Sequence, residues 1–228
     1  MIWFIGIAAA VAAYLIGSIN TSIILSRIFF GDDIRKSGSG NAGATNMLRT
    51  HGKKFAIATL ILDILKGVAA VLLALLADNI IARLLTSQYA QYPEAAYILG
   101  NLKYIAGFFV VLGHSFPLYF GFRGGKGVAT GLGVMMTLNW QVGLIVLAVS
   151  LIIMVVTRYV SLGSVIGALL FPLLLAAFTL GGGSFDIVEV IMAAALGLLV
   201  IARHHANISR LIHGSENKLF SKKRQDNK

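Results

Sequence analysis

The chain has no cysteine and only three prolines, and just 12% of its 228 residues are charged. Without cysteine there is no disulfide framework, no thiol nucleophile and no thiolate metal site. A soluble domain carries about a quarter charged residues, so half the usual solvating surface is missing. Acid is the scarcest class: nine Asp and Glu face nineteen Lys and Arg. The nine form no metal-binding cluster. Only Asp32 and Asp33 are adjacent, and both are expected to face water. No His is followed five positions later by Asp, which excludes the pattern of the soluble glycerolipid acyltransferases. No Gly-x-Ser-x-Gly elbow is present either. The first fifteen residues lack the positive start of a secretory signal, so a retained first span is expected there. Repeats of 20–50 residues and low-complexity tracts are absent.

What is abundant is apolar. Hydrophobic residues make up 57% of the chain and the mean hydropathy is +0.84, a composition that a bilayer explains. A spanning helix needs about 20 mostly apolar residues. Candidate spans are Ile2–Leu25, Phe55–Leu76, about Ala95–Leu112, Trp140–Thr157, Val160–Leu180 and Ile187–Ala202, with a shorter apolar run at Val128–Leu138. Sixteen of the nineteen basic residues cluster at 27–54, 123–126, 158 and 203–228. The other connections hold Asp78, Arg83, Glu94, Lys103, Asp186 and Glu189, a net negative set. By the positive-inside rule the basic regions are cytoplasmic. If Val128–Leu138 crosses, all four fall on one side; if it does not, Arg158 moves to the other. The expected fold is therefore an all-α integral membrane protein of seven transmembrane helices, with N-terminus outside and C-terminus cytoplasmic. Its fourth helix is short, with a re-entrant segment as the alternative. Residues 1–213 form a single polytopic domain, followed by a basic cytoplasmic tail at 214–228.

Three polar segments interrupt this pattern. Ser37–Asn46, followed by Arg49, matches G-x-G-x-x-G, and Asp63 lies twenty residues beyond Gly43. A dinucleotide fold would need a preceding strand, and here a membrane span precedes. The small residues instead let backbone N–H groups converge on an anion, with Ser39, Asn41, Thr45 and Asn46 as neutral donors and Arg49 as a bidentate phosphate ligand. Gly113–Thr130 contains Gly124-Gly125-Lys126-Gly127 before an apolar helix, a phosphate cradle at a helix N-terminus. It is not a Walker A sequence, because Lys126 is followed by Gly. Arg203–Lys218 carries His204, Asn207 and Glu216. If the last span continues as a helix, His204, Asn207 and Ile208 share a face. The adjacent pair His204–His205 does not, so no metal site is expected. Asp63 and Lys66 can pair on the second span, either bracing the loop above or touching substrate. Arg158–Ser164 is a smaller polar knot between two spans.

In this order and at these intervals, the segments resemble the bacterial membrane acyl-phosphate:glycerol-3-phosphate acyltransferases, the PlsY family. The likeness rests on Gly-Ser-Gly-Asn-Ala-Gly-Ala-Thr-Asn at 38–46, Asp-x-x-Lys-Gly at 63–67, Gly-His-Ser-Phe-Pro and Gly-Gly-Lys-Gly-Val-Ala-Thr between 113 and 130, Arg-Tyr-Val-Ser at 158–161, and Arg-His-x-x-Asn-Ile-x-Arg-Leu with Gly-x-Glu between 203 and 216. It covers nearly the whole chain; the segment Asp78–Glu94 is longer than the family leads one to expect.

The resemblance implies an enzyme of the bacterial inner membrane, with its active site facing the cytoplasm, in phospholipid biosynthesis. It would move a fatty acyl group from acyl phosphate to the 1-position of glycerol 3-phosphate, giving lysophosphatidate and phosphate. It implies no cofactor, no metal and no nucleic acid. Its partners would be the two substrates, membrane lipid and, functionally, the enzyme that makes acyl phosphate. His204, Asn207, Ser39 and Lys126 would be catalytic. Arg49, Asn41, Asn46, Gly124, Gly125, Gly127, Ser161 and Glu216 would bind substrate. His204 is the obvious base, yet acyl phosphate is already activated and its own oxygens can accept the hydroxyl proton. Direct attack without an acyl-enzyme is expected. A phosphate transporter is the competing reading, but such folds show repeated halves and midplane sites, and here the motifs lie at one face.

Overall fold

The computed structural model describes residues 2–89, 100–183 and 186–219. Among these residues every regular element is helical. The order is α1 Ile2–Ser18, α2 Thr21–Phe30, α3 Ala44–Thr50, α4 Lys53–Tyr89, α5 Leu102–Ser115, α6 Val128–Leu138, α7 Trp140–Thr157, α8 Val160–Gly181, α9 Ile187–Arg203 and α10 His205–Ile212. Short 3-10 turns occur at Ile34–Lys36 and Leu118–Phe120. The start expected for the third span, 95–99, lies outside the described residues.

Five helices are long and apolar enough to cross a membrane, or six if the bent pair α9–α10 is one span. The expected count was seven. The first span is broken: Asn20 lies outside both α1 and α2, and its side chain caps α2 by accepting from Ile23 N. Helix α6 begins and ends where the apolar run predicts. Its 11 residues extend about 16 Å, half the hydrocarbon thickness. The last span does not continue straight, as the shared face of His204, Asn207 and Ile208 required; it bends by 61° at His204.

With lipid outside, no hydrophobic force drives helix on helix, so close approach of small residues holds the bundle. Two reciprocal glycine pairs do this. A Cβ on Gly17 of α1 would stand 2.1 Å from Val110 O, and one on Gly113 of α5 would stand 2.2 Å from Tyr14 O. Likewise a Cβ on Gly67 of α4 would meet Thr130 O at 2.3 Å, and one on Gly133 of α6 would meet Ile64 O at 2.2 Å. The second pair sets the depth of α6, which starts more than two turns along α4. Val71, Leu102, Val110, Val111 and Val134 fill the centre of the bundle. Leu72, Leu73 and Leu76 of α4 and Ile152, Val155 and Val156 of α7 are exposed, as a lipid-facing surface demands.

A second small core, Ile23, Ile34, Ala42, Met47 and Ala56, lies under the first polar segment. That segment is thus a folded unit. Asp33 does not simply face water. It caps the Ile34–Lys36 turn and pairs with Arg35 at 2.7 Å and Arg27 at 2.9 Å. The Arg35 guanidinium, helped by Arg27, outweighs partial burial and holds its carboxyl well below the usual carboxylate range. Asp32 contacts His51 Nε2 at 3.1 Å.

Gly67→Leu is expected to wedge α4 from α6 and cost about 1–3 kcal/mol, read as a lowered thermal midpoint in detergent. Gly181→Ala, where a Cβ meets nothing within 4 Å, is expected to leave the midpoint unchanged.

Candidate active site

A cavity of about 600 Å³ opens where the broken helices meet, and residues of all three polar segments line it. The first segment is shaped from within. Asn46 accepts from Ser39 N through Oδ1 at 2.8 Å and donates to the Ile34 and Ser37 carbonyls through Nδ2, each at 3.0 Å. Both ends of its amide are spent and it is only 1% exposed. Asn46 therefore braces the loop; it does not offer a free donor to phosphate, as its position in the segment suggested. Gly38 and Gly40 adopt the left-handed φ of +61° and +71° that the turn requires. Ser39, Asn41 and Arg49 line the cavity, and among the described residues their side chains donate to none.

The second segment is hung from its neighbours. Gly124 N donates to Ser115 O and Gly125 N to His114 O, at 3.2 and 3.1 Å. Arg203 donates to the carbonyls of both glycines, at 3.3 and 3.2 Å. Neither glycine has room for a Cβ: the nearest atoms would be His114 O at 2.0 Å and His114 Nε2 at 2.1 Å. Gly124 and Gly127 line the cavity, whereas Gly125 lies behind the wall, packed on His114 and Ala42 O. Gly127, with φ +82°, turns the chain into α6, whose first turn has no side-chain cap. Val128 and Ala129 at that uncapped end also line the cavity, so backbone N–H groups and the positive end of the helix dipole face it.

Arg35 joins the two segments. Its guanidinium, held by Asp33, donates to Phe120 O at 2.6 Å and Arg123 O at 3.1 Å.

The third segment follows from the bend at His204. The His204 Nδ1 sits 2.7 Å from Val200 O. A carbonyl only accepts, so the proton is on Nδ1 and Nε2 is the acceptor nitrogen. One turn on, Asn207 Oδ1 accepts from Lys126 Nζ while its Nδ2 donates to Glu216 at 2.7 Å. Gly214, with φ +66°, turns the chain back after α10. Glu216 then accepts from Ser161 Oγ at 2.9 Å, Asn207 and, at 2.7 Å, Arg210. Burial pushes its carboxyl up, but these three hydrogen bonds outweigh burial and leave it below the ordinary glutamate value. The chain beyond is tied to the α7–α8 turn by Leu219 N on Arg158 O, 2.8 Å.

The electrostatic balance is decided by what is already neutralised. Arg35, Arg49, Arg123, Lys126, Arg203 and Arg210 line the cavity against two carboxylates, Asp63 and Glu216. Glu216 is paired with Arg210, and Asp63 is paired with Lys66 at 2.7 Å. The surplus is positive and suits anions. Among the described residues no group of three metal-ligating side chains converges.

The glycerol-3-phosphate acyltransferase family model matches residues 7–214. The chain belongs to that family. Curated glycerol-3-phosphate acyltransferases from Thermoanaerobacter pseudethanolicus and Clostridioides difficile are 43% and 42% identical to it, each over 95% of this chain and 96% and 97% of the relative. A crystal structure of PlsY, an integral membrane glycerol 3-phosphate acyltransferase in its glycerol 3-phosphate form, superposes with a TM-score of 0.75 at 36% identity, covering 94% of this chain and 95% of that one. The lysophosphatidic acid form gives 0.72 at 34%. The chain is thus an integral membrane glycerol-3-phosphate acyltransferase.

Of the twelve residues singled out from sequence, eleven line this one cavity: Ser39, Asn41, Asn46, Arg49, Gly124, Lys126, Gly127, Ser161, His204, Asn207 and Glu216. Sequence reading missed His114, Arg35 and Arg203. His114 stands in a motif already noted, but its spatial neighbours come from α4. The two arginines bond backbone carbonyls far along the chain, a role that leaves no local pattern.

Burial pushes Lys126 down to about 8, with Glu216 pulling it up and Arg210, Arg49 and Arg203 adding to the depression. It is charged only below that value. For acyl transfer, kcat/KM is expected to fall about tenfold per unit above about pH 8, while kcat at saturation falls at higher pH because a bound phosphate keeps the proton on. A pH profile of both parameters checks this.

Proposed function

We propose that this acyltransferase uses acyl phosphate as donor and esterifies the 1-hydroxyl of glycerol 3-phosphate. The observation that carries this reading is the cavity itself: it offers two distinct sets of anion donors, not one. Lys126, Gly127 and the uncapped start of α6 form one set. Ser39, Asn41 and Arg49 form the other. Both substrates are phosphates, and each can take its own set. Leu60, Leu132 and Val160 line the same cavity and suit the acyl chain.

The reaction follows from these placements. The 1-hydroxyl attacks the acyl carbonyl carbon, and the carbon–oxygen bond to phosphate breaks. Charge develops on the carbonyl oxygen and on the departing phosphate, where Lys126 and backbone N–H groups stabilise it. The hydroxyl proton goes to an oxygen of the leaving phosphate. His204 Nε2, fixed by the bond from Nδ1 to Val200, accepts a hydrogen bond from the neighbouring 2-hydroxyl and so orients the 1-hydroxyl for attack. No acyl-enzyme forms. Asn207 and Glu216 hold Lys126 in place through one continuous hydrogen-bonded line to Ser161.

The membrane arrangement is read the same way. The chain crosses seven times, with α6 as the short crossing and the N-terminus outside. Its active site faces the cytoplasm of a bacterial inner membrane, where the enzyme that makes acyl phosphate can supply it. Support comes from the basic regions: three of them line one cavity, and the fourth, at Arg158, is tied to the tail that carries Glu216. Residues 1–213 act as one domain.

Purified protein given acyl phosphate and glycerol 3-phosphate is expected to yield lysophosphatidate and phosphate. Activity with acyl-CoA alone would overturn the donor. His204→Ala is expected to lower kcat by about 10²-fold; an unchanged kcat with a raised KM would remove His204 from the chemical step.

A further inference from the structure

One side chain in the cavity wall stands on a backbone conformation that its type resists. Among the described residues only Phe122 and Arg158 have positive φ without being glycine, at +58° and +62°. Arg158 ends α7, and a left-handed residue commonly closes a helix. Phe122 closes no helix. It stands in the turn between α5 and α6, directly after Gly121 at φ +65°. A bulky residue is an outlier there, and glycine would carry no steric cost.

The surroundings hold it in place. Phe122 N donates to Pro117 O at 2.9 Å. Arg35 donates to the carbonyls on either side, Phe120 O at 2.6 Å and Arg123 O at 3.1 Å. The ring gives little back to the fold. It is 54% exposed, and among the described residues it stacks on no other ring and lies under no cation, whereas Arg203 sits over Phe116 and Arg27 over Phe120. What it does face is the cavity: Phe122 is the one Phe, Tyr or Trp among the described residues that line it. Tyr119, three residues earlier and 53% exposed, does not line it. The other large apolar lining groups, Leu60, Val128, Leu132 and Val160, belong to helices; Phe122 belongs to the loops. Backbone strain of this kind persists where the side chain has a task.

The reaction supplies that task. Acyl phosphate is an activated anhydride, and water can attack its carbonyl carbon as the 1-hydroxyl does. The carbon–oxygen bond to phosphate then breaks, water oxygen joins the acyl group as fatty acid, and a water proton leaves on the phosphate. We propose that Phe122 selects the acceptor: its ring, fixed by the left-handed turn, covers the bound donor on the loop side and keeps water from the acyl carbon, leaving glycerol 3-phosphate to react. This rests on the reading that acyl phosphate is the donor.

The test follows both outcomes of donor cleavage in detergent. Purified protein is given acyl phosphate and glycerol 3-phosphate, and fatty acid released per lysophosphatidate formed is measured. Phe122→Asn removes the ring with a residue that accepts positive φ more readily. Phe122→Leu keeps an apolar cover. Tyr119→Ala removes the similarly exposed aromatic outside the cavity. Wild type, Phe122→Leu and Tyr119→Ala are expected to release little fatty acid. Phe122→Asn is expected to raise the ratio about tenfold, the low end of what one lost apolar contact does to discrimination, with a thermal midpoint no lower than that of the wild type. An unchanged ratio in Phe122→Asn, an equal rise in Phe122→Leu or Tyr119→Ala, or a rise accompanied by a lowered midpoint or a misfolded variant would overturn the proposal, leaving Phe122 a surface aromatic at the headgroup level. No lysophosphatidate from the wild type would overturn the donor reading instead, before any variant is compared.

Discussion

A helix that breaks inside a bilayer leaves polar backbone groups where no water can reach them, so every break must be satisfied by protein. This chain breaks its helices around one cavity, and two of the breaks are answered by side chains. The Ile19 carbonyl, freed between α1 and α2, accepts from Lys66. The bend between α9 and α10 places His204 Nδ1 on Val200 O. The start of α6 is reached through Gly127 at φ +82° and has no side-chain cap; its N–H groups are the ones left facing the cavity. The rule thus explains the site. Two breaks are closed by side chains, and those side chains are then fixed in tautomer and direction. The break that is not closed is the one that faces the cavity.

The same constraint governs charge. Buried carboxylates beside a phosphate site would repel substrate, yet Asp63 and Glu216 both line the cavity. Neither acts as a free negative charge. Asp63 is matched by Lys66 and Glu216 by Arg210, with further donors from Thr21, Ser161 and Asn207. Their oxygens are used to orient donors, and the unmatched cations give the cavity its sign. Lys126 is held by Asn207 and not by a carboxylate, so burial lowers its proton affinity and the charge of Glu216 offsets only part of the fall.

Sequence revealed the solvent and the segments, because apolar runs and basic clusters are local properties. It also found the edges of α6 and the residues Lys126, His204 and Glu216, since small residues around an isolated polar group leave a readable pattern. It failed where the third dimension assigns roles. Asn46 has the type of a ligand but is consumed by three backbone partners within the same loop. Gly125 belongs to the glycine string but stands behind the wall. The pairing of Asp63 with Lys66 was legible from their spacing; their shared partner, forty-eight residues on from Lys66, was not. The bend at His204 has no proline or glycine to announce it; the replacement bond from Nδ1 to the Val200 carbonyl stabilises it.

The two loops that hold the anion donors are not independent. Arg35 ties the first loop to the carbonyls of Phe120 and Arg123, and Ala42 O meets Gly125 across a gap too small for a methyl group. Donor groups on the two loops are thereby fixed relative to each other. For a reaction between an activated acyl donor and a simple alcohol, the donor already carries the chemical driving force. What the protein adds is relative position, which can supply several kcal/mol of the barrier. That explains an otherwise odd economy: a site rich in glycine and arginine, with no paired nucleophile and base, in which most side chains hold backbone and few point at substrate. The rigidity of the frame, more than any single side chain, is what the fold contributes to catalysis.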